Sequence, residues 1–192
     1  MVSKLPKFFT EDEMVSIASH PERDTLIGAR DRAILGVFCA AGLRVSELCH
    51  LQVRDVRPAL LFVRQAKFGL QRWVPISKRC QLAIQGYLAI HPAQPGDPLF
   101  RSVTGNALDR RMVHKIVTYH QRAVGLSGGV HMMRASAATR WLNRGVNLQT
   151  VRVMLGHANI STTAIYLGVA TDSMVREYQN CLEWAAAGGG DR

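Results

Sequence analysis

Residues 26–51, LIGARDRAILGVFCAAGLRVSELCHL, decide the fold class of this chain. Their apolar positions recur at the intervals of an α-helix until Gly42, a residue type that commonly ends helices. From 43 to 51 the pattern resumes as a short helix that carries Arg44 and Glu47 one turn apart. The stretch therefore predicts a long core helix, followed by a short helix with an arginine and a glutamate on one side.

Start signals for further helices recur along the chain. Asp24 can cap the long core helix, and Thr10-Glu11-Asp12-Glu13 has the spacing of a capping box, with a hydroxyl at the cap and a carboxylate three residues later. The pair Gly128-Gly129 precedes another helical stretch, from about His131 to Asn143. The remaining helices are predicted to begin at Ser77, Asp109, Asn147 and the stretch 161–163, and a last one covers Thr171 to about Ala185.

One segment departs from the helical pattern. Between Ala59 and Ile76 two short apolar runs are separated by a turn that contains Gly69, which predicts a β-hairpin. The expected fold class is mainly α (α+β), a helical domain with a small antiparallel β-sheet. We expect a single domain over residues 1–192 with a flexible end from about 186.

Composition excludes some classes of protein. Hydrophobic residues make up 47% and charged residues 20%, as in an ordinary globular protein. No apolar run reaches the roughly 18 residues of a membrane helix, and residues 1–10 lack a signal peptide's apolar stretch. We therefore expect a cytoplasmic protein without a membrane partner. Its four cysteines have no pair at metal or redox spacing and are expected to be reduced thiols: Cys39, Cys49, Cys80 and Cys181.

Charge points to a polyanionic partner. There are 24 Lys plus Arg against 14 Asp plus Glu, a net charge of +10. Arginine dominates the basic residues, and its planar guanidinium binds phosphate oxygens in pairs. Basic surfaces also serve membranes and acidic proteins, and a compositional bias toward arginine would give the same count. Charge alone therefore leaves nucleic acid as one of several partners.

Two local patterns carry possible chemistry. His131 and Arg134 lie three residues apart near a predicted helix start, where free backbone N–H groups and the helix dipole favour a phosphate. Exposed pairs of this kind are common on helices, so a structural role also fits. His157 follows Gly156 and lies nine residues before Tyr166. Alone, each of these two residues would be interpreted as a helix cap or a packing residue.

Taken together, these blocks resemble the tyrosine recombinase family, also called phage-type integrases. Ala41 to Leu48 is similar to that family's first arginine motif, His131 to Arg134 to its histidine-arginine box, and 155–166 to its nucleophile box, in the family's order. The resemblance spans Leu5 to about Val169. The family usually adds an N-terminal core-binding domain, which we expect to be absent from this chain. The chain would then be an excised catalytic domain or a naturally short recombinase.

The resemblance implies a set of catalytic roles. Arg44 and Arg134 would clamp the oxygens of a phosphodiester, His157 would add a hydrogen bond, and Glu47 would hold Arg44. Tyr166 would attack the phosphorus and form a 3′-phosphotyrosyl intermediate. These roles make the expected function site-specific cleavage and rejoining of DNA strands.

Proton transfer would complete this chemistry. His131 would accept the phenol proton, and Lys67 would protonate the departing 5′ oxygen. Lys67 lies in the predicted hairpin turn, where a lysine is more often simply solvated. Phe68 and Leu70 stand where the family often has a glycine and a lysine.

The expected chemistry needs no metal, cofactor or ATP, because arginines supply the positive charge and the covalent intermediate conserves bond energy. His114 and His120 lack a third ligand and are interpreted as surface or packing residues. Ala135 replaces a histidine that many relatives carry, which affects an auxiliary contact.

Expected partners are double-stranded DNA and further copies of the chain. A tetramer on paired DNA sites would assemble through the segment from Thr171 to Ala185, although packing of that segment on its own domain fits equally. Two alternative functions remain at this point: a catalytically silent DNA-binding protein of the same fold, and a DNA-relaxing enzyme similar to type IB topoisomerases.

Overall fold

The computed structural model describes residues 8–64, 71–156 and 178–179. Within these residues the chain forms α-helices and, between the third and the fourth of them, one small antiparallel sheet. This agrees with the fold class that the sequence predicts. The helices are α1 (Glu11–Ser19), α2 (Leu26–Ala41), α3 (Val45–Cys49), α4 (Lys78–Ile90), α5 (Arg110–Ala123), α6 (Gly129–Asn143) and α7 (Leu148–Leu155). The strands are β1 (Val56–Arg57), β2 (Leu60–Val63) and β3 (Arg72–Pro75).

The capping signals define most helix starts. The predicted capping box at α1 is confirmed, since Thr10 and Glu13 bond each other's backbone N–H at 2.7 and 3.2 Å. The expected cap of α2 at Asp24 is wrong by one residue. The cap is Thr25, whose Oγ1 accepts the N–H of Gly28 at 3.0 Å. An N-cap oxygen reaches the amide two or three residues further along the chain. Because α2 begins at Leu26, the residue before it is Thr25, and its hydroxyl reaches the amide of Gly28.

The predicted hairpin is confirmed as β2 and β3, which pair antiparallel with Val63 opposite Arg72. A third strand, β1, extends the sheet on the other side of β2 and was not predicted. Two residues are too few for an alternation pattern to be visible in sequence. The predicted turn around Gly69 lies outside the described residues.

Helix α2 lies at the centre of the core. It packs against α1, α4 and α6, and Phe38 on α2 is fully buried. Trp141 on α6 is also buried and meets Tyr178 edge to face, with ring centroids 6.5 Å apart. Burial of such aromatic side chains contributes strongly to stability, at about 25 cal/mol per Å² of apolar area.

Two helices differ in extent from their predictions. The short helix predicted over 43–51 is restricted to α3, and Arg44 is its N-cap, with extended backbone. Helix α6 begins at Gly129, two residues before the predicted start at His131. A tertiary contact sets this start, since the Gln121 side chain accepts the N–H of Gly129 at 2.8 Å and donates to its carbonyl at 3.2 Å.

Several sequence predictions fall outside the described residues. They are the helix cap at 161–163, most of the last predicted helix and the flexible end from about 186. Of the last helix, Tyr178 and Gln179 are described, and both are helical. In the described part of the chain, no helix combines the length and apolarity needed to cross a membrane.

Candidate active site

Arg44 and Glu47 form the first part of the site. The carboxylate of Glu47 accepts the backbone N–H of Arg44 at 2.9 Å and its Nη1 at 3.0 Å. The Glu47 side chain is completely buried, whereas that of Arg44 keeps 25% exposure. Glu47 therefore fixes both the backbone and the guanidinium of Arg44 and leaves part of that guanidinium accessible.

Arg72 approaches the same carboxylate from β3. Its Nη1 and Nη2 donate to the two oxygens of Glu47, each at 3.0 Å, in a bidentate pair. Its Nε donates to the carbonyl of Met154 at 2.7 Å. Arg72 is 5% exposed, so it belongs to the interior of the site.

Arg134 reaches the site from α6. Its Nη1 donates to the carbonyl of Gly42 at 2.7 Å, and its Nη2 donates to the carbonyl of Leu155 at 2.6 Å. Nη1 also lies 3.9 Å from Glu47 Oε2. Arg134 and Arg44 share an acceptor, because Arg44 Nη1 donates to the Leu155 carbonyl at 3.3 Å. The structure thus brings together the two arginines that the sequence placed 90 residues apart.

The C-terminal end of α7 supplies the surface on which the arginines meet. Arg44 also donates to the carbonyl of Gly156, at 3.3 Å from Nη2. Three consecutive carbonyls, those of 154, 155 and 156, therefore accept from three arginines. Free carbonyls at a helix end carry partial negative charge, which such cations stabilise. Gly156 itself ends α7 in the left-handed conformation, with φ +65°.

Burial and neighbouring charges perturb two groups of the cluster. Burial, followed by the charge of Arg44, lowers the pKa of Arg134 to about 10, against the opposing effect of Glu47. Arg134 still carries its charge at neutral pH. Burial alone would raise the pKa of Glu47, but the hydrogen bond and charge of Arg72, with help from Arg44 and Arg134, hold that pKa below its usual value. The cluster therefore combines three cations with one carboxylate and is suited to an anion.

Of the other four site residues predicted from the sequence, the structure describes His131. His131 is exposed in the first turn of α6, and the described residues form no hydrogen bond with its side chain. Lys67, His157 and Tyr166 lie outside the described residues, so their predicted roles stay predictions. His157 directly follows Gly156, which the arginine cluster holds.

Arg72 was not recognised as a site residue from the sequence. The sequence signal is the spacing of Arg72 and Val74, which places both side chains on the same face of β3. That face is buried, and a buried arginine needs a partner of opposite charge. Its partner Glu47 lies 25 residues away and could be identified only through the fold.

The histidines that the sequence interpreted as packing or surface residues lie on α5. His120 is buried, and its ring bonds Asp31 at 3.1 Å and His20 at 2.8 Å. Among residues 8–64, 71–156 and 178–179, no group of three His, Cys, Asp or Glu side chains is arranged to hold a metal ion.

Comparison with known proteins identifies the class to which this fold and cluster belong. The model of the Phage integrase family matches residues 7–172, which is most of the chain. The chain is a member of that family, the tyrosine recombinases. It is 40% identical over 173 residues to tyrosine recombinase XerA of Pyrococcus horikoshii, a match that covers 87% of this chain and 58% of that protein.

A second relative is tyrosine recombinase XerD of Chlamydia trachomatis, 35% identical over 187 residues, with 91% of this chain and 62% of that protein covered. The chain thus spans 58–62% of the length of these two relatives. Two solved structures show the same fold. The crystal structure of XerA recombinase matches with a TM-score of 0.71 at 24% identity, covering 100% of this chain and 66% of that one. The integrase of mycobacterium phage Brujita matches with a TM-score of 0.75 at 17% identity, covering 94% and 60%.

Proposed function

We propose that this chain is the catalytic part of a site-specific DNA recombinase that cleaves and rejoins DNA strands through Tyr166. One observation carries the proposal: Arg44 at the start of α3 and Arg134 on α6 both donate to the Leu155 carbonyl, and the buried carboxylate of Glu47 bonds Arg44. Membership of the family and the names of its relatives support the same activity.

The arginines would stabilise the transition state. Attack on a phosphodiester places extra negative charge on the non-bridging oxygens, and donors aimed in advance stabilise that charge without reorganisation. Among the described residues, Arg44 Nε has no acceptor, and each Nη atom of Arg134 donates one hydrogen bond and so keeps a second N–H. A bound phosphate would therefore find open N–H groups on both side chains.

The proposed covalent step is a displacement at phosphorus. The phenol oxygen of Tyr166 forms a bond to phosphorus while the bond to the 5′ oxygen breaks, which leaves a 3′-phosphotyrosyl link. The phenol proton passes to His131, and Lys67 gives a proton to the departing 5′ oxygen. His157 donates to a non-bridging oxygen. The reverse attack by a 5′ hydroxyl rejoins a strand, so neither ATP nor a metal ion is required.

A basic face on a helix that packs against the site's helices supports a DNA partner. Arg111, Lys115 and Arg122 are exposed on one face of α5, together with Tyr119 at 65% exposure. Helix α5 packs against α3 and α6, the helices next to or carrying the two site arginines. These cations would contact the phosphates of a bound DNA duplex. A crystal structure of the XerH recombinase shows that protein bound to its difH substrate. It shares this fold with a TM-score of 0.67 at 23% identity, and the match covers 100% of this chain and 55% of that one. A DNA substrate also agrees with the expected cytoplasmic location.

We further propose that copies of the chain assemble as a tetramer on paired sites through the C-terminal segment. A groove of about 960 Å³ lies beside α2 and α4, and Val15, Leu82 and Ile90 on its border are 41–54% exposed. Tyr178 from the C-terminal segment is buried at this groove and donates to the Ala40 carbonyl at 3.4 Å. The same segment of a neighbouring copy would cover the remaining apolar border.

The decisive experiment uses a DNA recombination site with a nick near the cleavage position, which traps the covalent intermediate. We expect a protein–DNA adduct with the wild-type chain and none with Tyr166→Phe, while both bind the site equally. An adduct that persists in Tyr166→Phe would refute the assignment of the nucleophile. Binding without any adduct would favour a silent DNA-binding protein.

Assembly is tested separately. Leu82→Glu places a charge on the groove border and should reduce the DNA-bound complexes of higher mass, measured by mass photometry, without changing adduct formation. An unchanged mass distribution would contradict assembly through this groove.

A further inference from the structure

We infer that Arg72 is a positioning residue of the active site, acting through Glu47 and through the last turn of α7. The inference rests on the proposed function and adds a residue that has no role in the chemistry described above. Arg72 is nearly inaccessible, so it contributes by holding other groups and makes no direct contact with DNA.

All three guanidinium nitrogens of Arg72 are engaged in the interior. Nη1 and Nη2 bond the Glu47 carboxylate, and Nε bonds the Met154 carbonyl. Strand β3 is thereby tied to both α3 and α7. Each contact is charge-assisted and has little competition from water.

The Glu47 contact transmits the position of Arg72 to Arg44. With two bonds from Arg72 and two from Arg44, the four sites of the carboxylate are filled. Loss of the Arg72 fork would free Glu47 to rotate, and the Arg44 guanidinium would follow it.

The Met154 contact transmits the position of Arg72 to the chain before the predicted phosphate donor His157. The next carbonyl, Leu155, is the common acceptor of Arg44 and Arg134. At Gly156 a Cβ atom would lie 2.7 Å from Arg72 Nη1, so the guanidinium packs directly against this backbone. Arg72 and Gly156 thus fit each other, and the direction in which the chain leaves α7 depends on both.

Arginine is specifically required at this position. A lysine retains the charge but carries a single ammonium group, which cannot bond two carboxylate oxygens and a carbonyl in the planar arrangement of a guanidinium. The variant Arg72→Lys therefore separates geometry from charge. Arg54→Lys is the matched control, because Arg54 is exposed and, within the described part of the chain, its side chain bonds only that of Gln52, at 2.8 Å from Nε.

The test compares both variants with the wild-type chain in single-turnover adduct formation on the nicked site at saturating protein. We expect Arg72→Lys to slow the rate roughly 100-fold, the scale of a misplacement of about 1 Å. DNA affinity should change little, and Arg54→Lys should match the wild type. Tm should fall in Arg72→Lys, because a buried carboxylate loses its bidentate partner, so the rates are compared below the transition. A purely structural role would show this lower Tm with an unchanged rate below the transition. Arg72→Gln, which keeps a donor but loses the fork, gives a second measurement if the lysine variant folds poorly.

Amide exchange at Gly156 provides a measurement independent of cleavage. Its N–H bonds the Val153 carbonyl at 2.9 Å, and release of the Met154 carbonyl should speed its exchange in Arg72→Lys but not in Arg54→Lys. A wild-type rate of adduct formation in Arg72→Lys overturns the inference. If the wild-type chain itself forms no adduct, the proposed function fails, and amide exchange at Gly156 tests the positioning role separately. Unchanged exchange in Arg72→Lys overturns that role, and faster exchange supports it.

Discussion

Glu47 holds Arg44 by two bonds at once, accepting its backbone N–H at 2.9 Å and its side-chain Nη1 at 3.0 Å. The first bond belongs to the start of α3 and the second to the site, so the local fold and the site geometry depend on the same carboxylate. Because that carboxylate is the negative group at the centre of three arginines, its ionisation should control stability as well as activity.

Glu47→Gln should destabilise the fold at neutral pH by about 3–5 kcal/mol, since it leaves buried cations without their carboxylate. The pKa of Glu47 is lowered on folding, so the stabilisation is fully present above its ordinary pKa of 4.5 and is lost as pH falls through the lower, folded value. Unfolding by denaturant between pH 3 and 7 should show the two proteins converging at acid pH. A constant difference across this range would contradict an ionised, stabilising Glu47.

Arg44→Ala and Arg134→Ala should each slow adduct formation on the nicked site by about 10²–10³, the usual cost of one lost donor to a developing charge. Arg57→Ala, which removes an exposed arginine from β1, serves as the control and should cleave normally. Single-turnover kinetics at saturating protein separates this effect from binding. Normal cleavage by either site variant would reduce that arginine to a binding role.

Gly42→Ala should lower the free energy of unfolding by about 1–2 kcal/mol, because Gly42 has φ +56° and an L-residue is strained there. An added Cβ would also come within 3.2 Å of Trp141 and Ala137. Gly86→Ala offers the opposite case, since Gly86 is in α4 with no atom near its missing Cβ. It should raise stability by about 0.5–1 kcal/mol. Thermal and denaturant unfolding would show the two shifts, and equal shifts would contradict this account.

DNA binding should weaken steeply with salt, by roughly 0.9 in the log–log slope for each phosphate neutralised. Removing both Arg111 and Lys115 from the exposed face of α5 should lower that slope by about 2. Lys78→Ala, on α4, should leave the slope unchanged. Fluorescence anisotropy over a salt series measures all three. If the α5 variant kept the wild-type slope, this face would not contact phosphate.

The sequence predicted helix starts well where the signal was local. Thr10, Ser77, Asp109 and Asn147 each cap a helix as expected, because an N-cap needs only a side-chain oxygen and an amide within three residues. The start of α6 was missed by two residues, since it depends on Gln121 from another helix. No local pattern encodes such a contact.

The sequence by itself determined the mainly helical class and the hairpin of β2 and β3, and it led to the prediction of Arg44 and Arg134 as site residues, because periodicity, caps and motif order are properties of short stretches. The tertiary structure alone decided that these arginines share the Leu155 carbonyl and that Arg72 joins them through Glu47. A buried charge must find its partner wherever the packed chain provides one, and the distance along the sequence does not specify which residue that is.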